Sequence, residues 1–124
     1  MIQHIVLIKW KPATTEEDIV EAFEAARALL DEIDSVQTLT LGRNRAESDH
    51  GFTHALIVNL ADNDGLRRYL DHPTRMRYLR ERLQPLEEQR IEIDVPVDMT
   101  LRRDPTVRNW DWGASIGMGS PLDD

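Results

Sequence analysis

No cysteine occurs in the chain. That absence excludes disulfides, thiolate zinc sites and thiol nucleophiles, and it agrees with a reducing compartment. Long apolar runs are missing too. Nothing approaches the roughly 18 to 20 residues that a membrane helix needs. The apolar start, Ile2–Ile8, is too short and too strand-like for a secretion signal, with His4 inside it. A cytoplasmic protein without membrane contact is the expectation. P-loop, GxGxxG, HExxH and GxSxG patterns are absent, so nucleotide, zinc-protease and serine-hydrolase chemistries have no support. No metal and no cofactor is expected. Positive charge is also scarce: 15 basic residues face 23 acidic ones, a net charge of −8. Such a chain repels phosphate backbones unless it carries a basic stripe. The arginines at 67, 68, 75, 77, 80 and 82 alternate with helical apolar positions and are offset by Glu81, Glu87 and Glu88. They read as a solvated helix face, so no nucleic-acid partner is expected.

What is present suits one domain, since 124 residues can bury a real core. Ile2–Trp10 is nearly continuous in β-branched and apolar residues, as in a strand covered on both faces. Alternation puts His4, Val6, Ile8 and Trp10 on one face and Ile5, Leu7 and Lys9 on the other. Thr14 and Thr15 before Glu17 and Asp18 mark a helix start. Ile19, Phe23, Ala26, Leu30 and Ile33 then form one buried stripe. Val36–Arg43 and Phe52–Leu60 alternate as strands around a polar loop. Asp62 or Asn63 caps a helix burying Leu66, Tyr69 and Leu70, and Pro73 stops it. A further helix over residues 74–83 is expected to bury Met76, Leu79 and Leu83. Ile91–Val97 is the last strand, with Pro96 at an edge or at its end.

The order β-α-β-β-α-β predicts an α+β, ferredoxin-like fold: a four-stranded antiparallel sheet with helices on one face. The other face, with Ile5, Leu7, Ala55, Ile57, Ile91, Ile93 and Val95, would be wet in a monomer. An apolar surface of that size predicts a two-fold homodimer packed sheet to sheet. The fold is expected to occupy residues 1–97. Residues 98–124 then form a tail whose Trp110 and Trp112 argue for docking onto the same protomer or its partner.

Several pieces together resemble the stress-responsive A/B barrel, or Dabb, domain of dimeric α+β barrel proteins. They are His4-Ile5-Val6-Leu7 with Lys9, Gly42-Arg43-Asn44, Gly51-Phe52-Thr53-His54-Ala55, Tyr69-Leu70-Asp71-His72-Pro73, and Asp94. The match covers about residues 2–97. The resemblance implies a homodimer with a central barrel and a cavity in each protomer between helices and sheet. One plant relative, olivetolic acid cyclase, folds a polyketide without cofactor through a Y-x-x-H-P-x-H pattern. Tyr69, His72 and Pro73 match it, but Arg75 replaces the catalytic last histidine. Arginine stays protonated and serves poorly as a base, so the cyclase chemistry does not carry over.

The candidate ligand-binding set is His4, Phe23, His54, Tyr69, His72, Arg75 and Asp94. His54, Tyr69 and His72 are the acid–base candidates. Each has a structural reading beside the functional one. His54 can be a satisfied core histidine, and His72 can cap the end of the helix before it. The resemblance implies that Arg75 and Asp94 pair, as a structural ion pair or as an anion site. His4 shares a sheet face with His54 but lies towards the other end, which argues against a joint metal site. Arg43, Arg45 and His50 read as solvated loop charges, which the resemblance lets reach the partner subunit. The preferred function is a homodimer that binds a small hydrophobic or carboxylate ligand, its reaction unassigned. The alternatives are a cofactor-independent cyclase, isomerase or oxygenase, and a structural stress-protective dimer. A cavity filled by Trp10, Phe23 and Met76 would remove both ligand readings.

Overall fold

In a computed structural model, which describes residues 1–103, the chain runs β1 (Ile2–Trp10), α1 (Glu16–Ala25), α2 (Arg27–Glu32), β2 (Val36–Arg43), β3 (His54–Leu60), α3 (Asn63–Leu70), α4 (Pro73–Tyr78), a π-helical turn (Leu79–Leu83) and β4 (Glu87–Pro96). The four strands form one antiparallel sheet in the order β2-β3-β1-β4. This is the ferredoxin-like α+β plan, with the helices on one face. The expected docking of the tail tryptophans lies outside the described residues.

The period-two pattern works as sterics require. Ile2, His4, Val6 and Ile8 of β1 and His54, Leu56, Val58 and Leu60 of β3 are buried beneath the helices. Ile5 pairs with Ile57 and Ile93, and Leu7 with Ala55 and Ile91, on the opposite face. That face stays partly open, with Ile93 45% exposed. β4 starts earlier than the sequence suggests, at Glu87, because pairing continues past a register shift at Lys9/Trp10. Pro96 ends it, on the edge strand.

Thr15 and Asp18 form a reciprocal capping box that starts α1. The single helix expected up to Ile33 is two. At Ala26 the backbone tightens into three-residue bonds, Ala26 N–H to Phe23 O at 3.1 Å and Leu29 N–H to Ala26 O at 2.9 Å. The buried stripe is Ile19, Ala22, Ala26, Leu29 and Ile33, and Phe23 and Leu30 flank it. Apolar pairs at 22/23 and 29/30 made two stripes available, and the one through Ala22 and Leu29 is the buried one.

The second correction concerns α4. Met76 is not buried but 53% exposed, while Thr74, Arg75 and Tyr78 face inward. The Tyr78 hydroxyl donates to the Ala22 carbonyl at 2.8 Å in the core. Leu83, five residues on, is buried as well. A step of five turns a side chain away on an α-helix, but the π turn, closed by Gln84 N–H to Leu79 O at 2.8 Å, keeps both inside.

The hairpin between β2 and β3 turns through His50 and Gly51, both at positive φ. The φ of 86° at Gly51 favours glycine, and a Cβ there would also push aside the flexible end of Lys9, 2.9 Å away at Cε.

Tyr78→Phe is expected to cost about 1–3 kcal/mol, because the buried Ala22 carbonyl loses its partner. Met76→Lys is expected to stay within about 0.5 kcal/mol of the parent. Urea unfolding of both variants checks the rotation of α4.

Candidate functional site

The seven candidate residues do not converge on one cavity. They fall into two groups and one outlier. His4 and His54 share the helix-facing side of the sheet, but His54 pairs with Ile8, four residues or about 13 Å along β1 from His4.

The first group is an open cleft of about 430 Å³ between α1 and the end of the β2–β3 pair. Ile19, Val20, Phe23 and Leu41 line it, His54 closes its inner end, and Glu16 and Arg43 stand at the mouth. Trp10, Phe23 and His54 pack their rings edge to face or tilted, with centroids 5.6–6.2 Å apart. These rings shape the inner end and leave the cleft open, and Met76 takes no part. The Trp10 indole N–H donates to His54 Nδ1 at 2.9 Å. Indole can only donate, so Nδ1 is an acceptor, and the neutral ring carries its proton on Nε2. The Thr53 hydroxyl lies 2.8 Å from the same Nδ1 and competes with the indole for its single lone pair. Burial lowers the His54 pKa, and the Arg43 guanidinium lowers it further. His54 is thus a fixed neutral hydrogen-bond donor, which removes it as a free base.

Arg43 is solvent-exposed, but it does not stand on the loop. It is the last residue of β2, paired in register with His54. Its Nη2 donates to both carboxylate oxygens of Glu16, at 3.1 and 3.0 Å.

The second group is a polar strip where β4 meets β1 under α3 and α4. The expected Arg75–Asp94 pair does not form. Arg75 Nη2 instead donates to Glu92 Oε1 at 2.7 Å, and His4 Nδ1 donates to Asp94 Oδ1 at 2.6 Å. The register explains the exchange: Asp94 lies directly opposite His4, and Glu92, two residues earlier on the same face, lies beneath Arg75. Glu92 was legible in the sequence as the in-phase neighbour of Asp94. The Arg75 guanidinium carbon sits 5.4 Å from the Tyr69 ring centre, and the His4 ring meets Tyr69 edge-on at 5.5 Å. Burial raises the Tyr69 pKa, and Arg75 pulls it partly back. His4 Nε2 is buried, 3.5 Å from Glu92 Oε1, without a well-aligned hydrogen bond among the described residues. The His4 contact first, and the Arg75 guanidinium with it, hold the Glu92 carboxyl down at about 2 against the opposing effect of burial.

The outlier is His72. It does not cap the end of α3. Its Nδ1 accepts the Thr74 N–H at 3.1 Å and starts α4, with Pro73 in the first turn. The sequence allowed either end of the His-Pro step, and the proline decides, because its ring fits a helix start. No group of three or more His, Asp and Glu side chains among the described residues is placed to hold a metal ion.

The model of the stress responsive A/B barrel domain matches residues 2–97. The chain belongs to the Dabb family. A stress-response A/B barrel domain-containing protein of Arabidopsis thaliana, At5g22580, is 28% identical over 79 residues, 61% of this chain and 68% of that protein. Among solved structures, a dimeric ferredoxin-like protein of unknown function from Thermobifida fusca superposes with a TM-score of 0.66 at 23% identity, over 76% of this chain and 88% of that one. The hydroxynitrile lyase of Passiflora edulis superposes with a TM-score of 0.72 at 16% identity, over 82% and 96%. At these identities the two structures share the fold. No specific reaction follows for this Dabb chain.

The polar strip has a pH signature. Glu92 is depressed from 4.5 to about 2 in the folded protein, so between those values the unfolded chain binds the extra proton. Its stabilising contribution is complete above about pH 4.5 and is lost as pH falls through about 2. Glu92→Gln is expected to flatten this acid limb of stability, read as melting temperature against pH.

Proposed function

We propose that this Dabb chain works as a homodimer, joined through the open sheet face, and that each protomer binds one small, partly apolar molecule in its Phe23–His54 cleft. The observation that carries the ligand reading is the cleft itself. It is about 430 Å³, within the usual range of ligand pockets, and it combines apolar walls with one oriented hydrogen-bond donor. Of the candidate ligand residues, Phe23 and His54 serve this cleft. Tyr69, Arg75, His4 and Asp94 act in the polar strip, and His72 caps α4. In this reading residues 1–97 are the working domain and 98–124 an appended tail.

The dimer rests on the row Ile5, Leu7, Ile57, Ile91, Ile93 and Val95, which has no covering layer among the described residues. Covering each aliphatic side chain contributes about 1.5–3 kcal/mol at full burial, enough in sum to offset the cost of association. The dimeric state of the Thermobifida relative supports a dimer here.

One observation favours a second reading, a cofactor-independent enzyme of proton transfer. His4 is almost wholly buried, oriented by Asp94 through Nδ1, with Nε2 left without a bond. An imidazole so oriented can move a proton. The acid–base role would then belong to His4 with Tyr69, and not to His54 or His72, whose Nδ1 lone pairs are engaged.

Two measurements test the main reading. The parent chain is expected to sediment as a dimer at micromolar concentration, and Ile93→Asp as a monomer. Calorimetry with the neutral probe naphthalene-2-carboxamide is expected to show one site per protomer, lost in Val20→Trp. Val20 is 51% exposed, so this substitution blocks the cleft without entering the core. A monomeric parent chain, or probe binding unaffected by Val20→Trp, would sink the corresponding half of the proposal.

A further inference from the structure

We infer that the cleft is built for an apolar carboxylic acid, and that the Glu16 carboxylate holds the place of its headgroup at Arg43 until the acid arrives. The inference rests on the ligand reading above and adds the chemical class. Arg43 and His54 leave neighbouring strands at paired positions on the helix-facing side. Imidazole and guanidinium therefore line the same apolar slot, the imidazole at its inner end and the guanidinium at its mouth. The imidazole has committed Nδ1 to Trp10, so it offers Nε2–H as a donor. Two donors, one of them permanently charged, suit an acceptor group with negative charge.

The structure already shows a carboxylate in that place. Both oxygens of Glu16 accept from Arg43 Nη2. Arg43 and Glu16 are 56% and 69% exposed. An ion pair so wet is weak, so exchanging it for another carboxylate costs little. Glu16 also sits in the first turn of α1, whose positive end continues to stabilise it after Arg43 is taken away. Affinity would come from the apolar walls, Ile19, Val20, Phe23 and Leu41, and selectivity from Arg43. The net charge of −8 repels acids at long range. Salt confines that repulsion to about 8 Å at physiological strength, which leaves the local guanidinium to decide.

Calorimetry on the full-length chain in physiological salt, with naphthalene-2-carboxylate and naphthalene-2-carboxamide as probes, tests the assignment. The carboxylate is expected to bind more tightly than the amide. Arg43→Gln should weaken the carboxylate by about fivefold, and Glu16→Gln, which frees Arg43, should strengthen it by about threefold. The amide, with no charge to offer, should respond to both substitutions less than the carboxylate does. Equal binding of the two probes, unmoved by either substitution, overturns the carboxylate assignment while the cleft reading stands. Failure of both probes to bind overturns the two together. Binding of either probe only after removal of residues 104–124 gives the cleft to the chain's own tail and overturns the proposal.

Discussion

The ion pair between Arg75 and Glu92 sets the geometry of half the molecule. β4 is an edge strand whose alternation places Ile91, Ile93 and Val95 on the open face. The same alternation commits Arg90, Glu92 and Asp94 to the side that the helices should cover. Arg75 and His4 are buried on that side and need partners, since an uncompensated charge there is costly, and the more exposed carboxylates of the edge strand supply them. Glu92 takes Arg75, and Asp94 takes His4. Drawing Arg75 inward rotates α4, and that rotation turns Met76 to solvent and brings Tyr78 to the Ala22 carbonyl. The π turn then restores Leu83 to the core. A choice made by the strand pattern is thus transmitted to helix phase.

That chain of cause explains what could be read in advance. Strand order, facing and most caps were legible, because they depend on period two and on local chemistry at Thr15 and Asp62. The α4 phase was not legible. Arg75 and Met76 compete for the inward position, and a residue 17 positions further along the chain settles it. The stripe on α1 and α2 was ambiguous for a simpler reason: adjacent apolar pairs left two solutions, and the one through Ala22 and Leu29 faces the core. His72 was assigned to the wrong helix because its neighbour Pro73 both ends one helix and begins another.

The candidate site was legible residue by residue but not as a place. Antiparallel pairing already separates His4 from His54 along one sheet face, and the structure puts them in different environments. Glu92 and the Trp10 indole each fix the state of a histidine or an arginine, yet neither belongs to a recognised sequence motif. Arg43 was undervalued because a charge at a hairpin is usually solvated. Its partner Glu16 is 27 residues away, beyond any local pattern.

The Trp10–His54 hydrogen bond has a practical consequence. It couples an indole to the one imidazole that closes the cleft. Indole emission responds to the charge and polarity of whatever touches the ring, and an imidazolium beside it quenches the excited state. Protonation of His54, or a guest arriving against its Nε2, is therefore reported by the light this tryptophan emits. Once Trp110 and Trp112 are replaced, the chain carries its own optical indicator, set against the histidine that closes the cleft.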